Sequence, residues 1–354
     1  MPTNFLTPFF SMCNKDRLDE FQEAKAMPFE AQHEQLFDNL SEAANTLMGK
    51  HYRFLNIHSY EDFRQCLPLQ RYKDLQPYVH RMMAGESNLI WPGSCKYFLP
   101  AGNDGTESHL LPLTRDALID NFFVGINDAG SMYLQSKGES CRLYDGFSLW
   151  IGADRRDQVY RNLSSVLVKE SPFPQSMFIR PLLPINKPTQ QAELEALFHE
   201  AETYPVSNIQ GRPHRYAEFL NYAEKKTGKQ GIRNILPQVE VFFHRGKPMR
   251  EQLLNPPVQD IAYHASFCTP EGFFALQDKP GDPDMLLLTD AGIFYEFIAE
   301  DAAFSPENVI PLEEVKAEVP YRMILSTRAG LWRYLSEGPA VIFTSTQPYK
   351  LYIK

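Results

Sequence analysis

"MLLLTDAGIFYEFI", residues 285–298, is dense in the branched and aromatic side chains that favour extended backbone, and it reads as strand. It has company. "IAYHAS" (261–266) and "GFFALQD" (272–278) come before it, and "YRMILSTRAGLWRYL" (321–335), "AVIFTS" (340–345) and "KLYIK" (350–354) follow. From about residue 260 onward, strands dominate.

Towards the N-terminus helices and strands alternate. "GFSLWIG" (146–152) and "QVEVFFHRG" (238–246) are strand candidates. Between them "QAELEALFHEAETY" (191–204) sets Leu194, Leu197, Phe198 and Ala201 at helical spacing, and "PHRYAEFLNYAEKKTGK" (213–229) is an amphipathic helix stopped at Gly228. The first third is helical. "HEQLFDNLSEAANTLMGK" (33–50) places Leu36, Phe37, Leu40, Ala44 and Leu47 on one face, with Gly49 to close it. "SYEDFRQCLPLQRYKDLQPYVHRMMAGE" (59–86) gives a short helix behind Ser59, a break at Pro68 and a second helix ending near Gly85. Alternation followed by consecutive strands indicates an α/β fold of mixed sheets flanked by helices, with a β-rich C-terminal section. The Pro-rich "PFPQSMFIRPLLPINKPTQ" (172–190) is the expected connection between subdomains of about 1–170 and 190–354.

Composition narrows the function. The 354 residues are 43% hydrophobic, enough for a substantial core, and carry a net charge of −9. That balance gives no electrostatic footprint for nucleic acid or anionic lipid. Five dispersed cysteines without a C-x-x-C pattern fit a reducing compartment, with neither zinc site nor disulfide framework. With no leader pattern and no apolar run near the roughly 20 residues of a membrane span, the expectation is a cytoplasmic protein with no membrane partner.

The residues most suggestive of chemistry are "PAGNDGTESHLLP" (100–112). Glycines, Asn, Thr and Ser make a loop of free N–H groups suited to phosphate, yet Asp104 and Glu107 are acidic and no lysine or arginine is present. A nucleotide loop, a ruined one and a plain surface turn all remain open at this point. No G-x-S-x-G elbow supports a hydrolase. Cys268 reads as an inert thiol rather than a nucleophile, because the nearby Glu271 would raise its pKa.

Four strings together resemble one family. They are "SYEDFRQCLPLQRYKDLQPYVHRMMAGESNLIWPG", "EGFFALQD", "MLLLTDAGIFYEFI" and "STRAGLWRY". The chain resembles the auxin-responsive (Gretchen Hagen) acyl-acid amido synthetases, in particular their bacterial members, within the adenylate-forming superfamily. The resemblance implies the large N-terminal domain of such an enzyme across residues 1–354, with the C-terminal lid domain absent. It further implies a two-step ligase reaction: ATP and a carboxylic acid give an acyl-adenylate and pyrophosphate, and the amine of an amino acid then forms the amide. ATP and Mg²⁺ are the implied cofactors. A small-molecule carboxylic acid, an amino acid, and a missing C-terminal domain or a paralogue are the implied partners.

Carried over residue by residue, the phosphate loop maps onto Gly102, Asn103, Gly105, Thr106 and Ser108, with its two lysines replaced by Glu107 and His109. The motif Y-x-A-S-E-G maps onto Tyr263, Ala265, Ser266 and Glu271, interrupted by Phe267–Pro270, and implies Glu271 as a catalytic Mg²⁺ ligand beside His109. W-R-Y-x-I-G-D maps onto Arg333 and, for the ribose-gripping acid, Glu337. H-G-G maps onto His244 and Gly246, with Arg245 between them. G-x-P-x-x, in the region lining the acyl pocket, maps onto Gly211, Pro213 and His214, with Arg215 as a second candidate for meeting a carboxylate. Altered motifs on a recognisable scaffold imply either an impaired synthetase or a non-catalytic homologue that binds a small molecule or regulates a partner.

Overall fold

A computed structural model describes residues 15–101, 109–153, 155–156, 159–160, 162–247 and 261–354. The chain forms two compact units: Met1–Leu18 with Ile126–Phe267 and Leu276–Met285, and Asp19–Gly125 with Cys268–Ala275 and Leu286–Lys354. This corrects the sequential split expected near residues 170–190. The Pro-rich segment lies inside the first unit, and the chain passes back and forth instead.

In the second unit α1 (Pro28–Ala43) buries Leu36 and Leu40 and turns Gln32 inward. The Gln32 amide donates to the carbonyls of Thr289 and Ile293 and accepts from the Tyr295 N–H, so one side chain satisfies three buried backbone groups. The helix expected over residues 33–50 breaks: Thr46 caps a separate short helix, Leu47–His51, by accepting from the Gly49 N–H. Gly49 therefore sits inside a helix instead of ending one, and Leu47 is exposed. A side-chain cap here outweighs the apolar periodicity that suggested a continuous helix. The expectations over 59–86 hold. α2 (Tyr60–Cys66) is capped by Ser59, whose hydroxyl accepts from the Asp62 N–H, and α3 (Tyr72–Met83) buries Leu75 and Val79. β1 (Tyr97–Pro100) and β2 (Leu110–Leu113) pair antiparallel.

The first unit holds a parallel sheet. Its strands are β3 (Phe147–Trp150), β4 (Ile179–Arg180), β5 (Val206–Gly211), β6 (Val241–Arg245) and β7 (Ala262–Thr269), the last running on into the second unit. Spatially β3 lies between β4 and β5, followed by β6 and β7. The crossovers include α4 (Leu163–Glu170), α5 (Gln190–Thr203) and α6 (Pro213–Thr227). α6 packs Tyr216, Phe219, Leu220 and Ala223 against the sheet, with the Tyr216 ring stacked 4.4 Å from Phe242. Gly228 ends it in the left-handed conformation, φ 70°.

The β-rich part of the second unit includes β8 (Gly272–Leu276), whose last residue falls in the first unit, then β9 (Ile293–Ala299), β10 (Pro320–Thr327), β11 (Tyr334–Leu335), β12 (Val341–Thr346) and β13 (Tyr349–Ile353), besides two three-residue strands, Met285–Leu287 and Val309–Pro311. β9 and β10 pair antiparallel from Ile293↔Thr327 to Ala299↔Tyr321. Among the described residues no helix is long and apolar enough to cross a membrane, and the four described cysteines form no disulfide.

Candidate functional site

The expected sites fall into one cluster in each unit. In the second unit, the Ala101 N–H donates to the His109 carbonyl (2.8 Å) and extends the β1–β2 ladder by one bond. Gly102, Asn103, Gly105, Thr106 and Ser108 lie outside the described residues. His109 is inside them. Its ring stacks on Tyr72 at 4.1 Å, and its Nδ1 lies 2.7 Å from Oε1 of Glu337. The Tyr72 hydroxyl accepts from the Leu110 N–H at 3.1 Å, fixing the same strand start.

Glu271 joins this cluster. β7 runs to Thr269, Pro270 and Glu271 form the turn, and β8 begins at Gly272. The interruption Phe267–Pro270 therefore extends a strand and opens a turn, which carries Glu271 to residues 336–337. Oε1 of Glu271 accepts from the Glu337 N–H (2.8 Å). Its Oε2 accepts from the Ser336 hydroxyl (2.6 Å) and more weakly from Thr269 (3.3 Å). The side chain is buried, and burial with the nearby Glu337 charge pushes its pKa up against the pull of those hydrogen bonds.

That arrangement does not suit Mg²⁺. The ion takes carboxylates it can share with several waters, in octahedral geometry. Glu271 is buried and has a partner on each oxygen. Among the described residues no three His, Cys, Asp or Glu side chains group to hold a metal.

Arg333 also departs from expectation. Its side chain is fully buried, donating to both oxygens of Glu296 (2.9 and 2.8 Å) and to the carbonyls of Arg64 and Leu67 (both 2.9 Å). Tyr60 donates to the same Glu296 at 2.9 Å. The guanidinium pins α2 and its trailing turn to β9, and it is not presented to a nucleotide. Its φ of 46° lies in the left-handed region, a conformation that the surrounding bonds hold in place.

In the first unit β6 and β7 align Phe242 with Tyr263, His244 with Ala265, and Arg245 with Ser266. The Ser266 hydroxyl donates to the His244 carbonyl (3.3 Å), and its own carbonyl accepts from Gly246 N–H (2.9 Å). Gly246 has φ 114°, and among the described residues nothing lies within 4 Å of where a Cβ would stand. His244, expected at a nucleotide, is instead a core residue. Its ring is buried, neither nitrogen has a hydrogen-bond partner among the described residues, and burial depresses its pKa to about 3.

A cavity of about 290 Å³ opens beyond the carboxyl ends of β3, β5 and β6. After β3 the chain turns towards β4; after β5 it turns the opposite way, towards β6. The divergence leaves a crevice at the switch point, where open α/β sheets bind their ligands. Gly152 and Ser164 line it, as do Glu193, Arg212, His214, Arg215 and Arg245. Pro213 is the first residue of α6, and Gly211 lets β5 approach β3: a Cβ there would stand 3.0 Å from the Ile151 carbonyl oxygen. Burial, followed by the charges of Arg212 and Arg215, lowers the pKa of His214 against the pull of Glu218.

Sequence reasoning missed Tyr72, Ser336, Arg212 and the bonding role of Thr269. Arg212 and Arg245 each stand at a strand's carboxyl end, but without the strand order nothing says that those ends meet.

Comparison with known proteins gives the family and the fold. The GH3 family N-terminal domain matches residues 17–246, and the GH3 family central domain matches residues 286–344. Among solved structures, GH3.15 acyl acid amido synthetase superposes with a TM-score of 0.73 at 16% identity, over 95% of this chain and 70% of that one. The same enzyme in complex with 2,4-DB gives 0.73, 16%, 95% and 69%. A 2-hydroxyisobutyryl-CoA ligase in complex with 2-HIB-AMP and CoA gives 0.57 at 13% identity, over 93% of this chain and 67% of that one. The fold is that of adenylate-forming enzymes. Among curated proteins no sequence match was found.

Proposed function

The chain belongs to the GH3 family, and from that premise we propose an acyl-acid amido synthetase-like protein in which recognition of a small carboxylic acid persists while its ATP-dependent activation is impaired. One observation carries this reading: the Glu271 carboxylate is buried and bonded to Ser336 and Glu337. Expelling pyrophosphate requires positive charge or a metal where negative charge builds up. Glu271 is unsuited to hold the metal, and His109 is paired with Glu337. In the first unit, the left-handed backbone of Gly246 supports an approach for the adenine ring. Gly211, Pro213 and His214, at the switch-point cavity, support the acid's position.

ATP–pyrophosphate exchange, measured beside calorimetric binding of a panel of acids to the full chain, tests this. The expected result is acid binding with exchange barely above background. Exchange at roughly 1 s⁻¹ or faster, the range of working enzymes, would overturn the claim of impairment. A second reading, a non-catalytic small-molecule-binding or partner-regulating homologue, is favoured by the same sequestered carboxylate. Acid binding with no exchange at all would select it.

A further inference from the structure

The Pro-rich segment does not join two subdomains, but it carries a surface of its own. Among the described residues of the first unit, the well-exposed large apolar side chains are Phe173, Met177, Leu182 and Leu183, at 79, 54, 59 and 54%. They flank β4, which pairs with β3 on one side and is the edge of the sheet among the described residues. The platform beneath them is built. Arg180 donates to the carbonyls of Met177 (3.1 Å) and Ile179 (2.7 Å), and its guanidinium lies over the rings of Phe147 (3.9 Å) and Tyr204 (4.2 Å). The preceding turn is tied by the Ser176 N–H donating to the Pro172 carbonyl and the Met177 N–H donating to the Pro174 carbonyl. Apolar side chains grouped on an ordered turn and left in water mark an interaction surface.

Charge says what fits there. From Ser171 to Asn186 the one charged residue is Arg180, and it is buried. Nucleic acid, an anionic bilayer or an acidic protein would need cations that this segment does not display. An added peptide strand would need a row of N–H groups, whereas β4 is two residues long and Pro181 follows at once. We propose that this patch packs against the same patch of a second copy of the chain, about a two-fold axis. An isologous contact sets a surface against itself, so every charge in it meets its own like charge. Two chains of net charge −9 therefore meet best on a face that is apolar and uncharged, which is what residues 171–186 offer. Four side chains fall short of the roughly 800 Å² per partner of a standard interface, so the dimer is weak and concentration-dependent. The proposal does not depend on what the switch-point cavity binds.

Sedimentation velocity of the full chain, from about 1 to 300 μM, decides it. The expected result is a monomer at the low end passing to a dimer, with a Kd of roughly 10–100 μM. The double variant Phe173→Ser/Leu182→Ser should weaken the dimer at least about tenfold, as truncating central apolar anchors does. Because both side chains are exposed, it should keep the parent's thermal midpoint. Raising salt from about 50 to 500 mM should preserve or tighten the dimer, since screening removes repulsion between two acidic chains. A chain that stays monomeric up to about 300 μM would overturn the proposal. So would a dimer that the double variant leaves unchanged, which would place the contact on another face. Dissociation by salt would show that charge pairs hold the copies together, and would overturn the apolar contact.

Discussion

Arg333→Met should lower the unfolding free energy by about 3–5 kcal/mol, the usual cost of stranding one member of a buried ion pair. Removing the guanidinium leaves Glu296, itself 1% exposed, with only the Tyr60 hydroxyl, and it strips the Arg64 and Leu67 carbonyls of their donor. Urea denaturation followed by circular dichroism gives the value. Glu296→Gln should cost a comparable amount for the mirror reason. The double variant Arg333→Met/Glu296→Leu should recover much of the loss, because no uncompensated charge then remains inside. A loss below about 1 kcal/mol in Arg333→Met, the scale of an exposed pair, would refute the structural role. Burial and the Glu296 charge also raise the Tyr60 pKa, so that phenol stays a donor throughout the physiological range.

Acid should weaken the protein steeply below neutrality. His244 and His264 lie on neighbouring strands of the first unit, each buried, and among the described residues the His244 ring nitrogens have no hydrogen-bond partner. Burial drives their pKa values down to about 3 and about 4, against an ordinary value near 6.5. In the unfolded chain both rings take up protons as the pH falls through that ordinary value, whereas in the folded chain they stay neutral. The stability difference is therefore fully present above about pH 6.5 and drains away as pH falls towards the folded values. At about 1.4 kcal/mol per pH unit for each ring, the pair removes roughly 4 kcal/mol between pH 7 and pH 5. Urea midpoints across that range would show it, and His264→Phe should roughly halve the slope. A flat profile between pH 7 and pH 5 would mean that the rings find partners or water.

The distribution of what was legible in the sequence has physical reasons. Local periodicity and capping located most elements: Ser59 at the start of α2, Gly228 at the end of α6, and the apolar strands after residue 260. Thr46 defeated the same reasoning, because one hydroxyl–amide bond splits what hydrophobic spacing joins. The motif strings identified the family, yet they misassigned Arg333 and His244. Both sit in recognisable strings because the fold needs them, and a string cannot distinguish a side chain facing a ligand from one facing the core. His109, Glu271 and Glu337, singled out from three separate motifs, do converge. Their contacts with one another, and with Ser336 and Tyr72, needed coordinates. The switch-point cavity was half visible, through Gly211, Pro213 and His214. Its cationic character stayed hidden because Arg212, Arg215 and Arg245 come together only once β5 and β6 lie side by side.

The central claim is that the Glu271 carboxylate, implied by the family resemblance as a metal ligand, is held by the protein's own hydrogen bonds. Titrating the full chain with ATP in the presence of Mg²⁺, and again with EDTA, tests this most directly. Because ATP itself binds Mg²⁺, the account predicts that any change on adding Mg²⁺ is the same in Glu271→Gln as in the parent, since Glu271 is occupied by Ser336 and the Glu337 amide. A tightening of about tenfold or more on adding Mg²⁺, lost in Glu271→Gln, would contradict it.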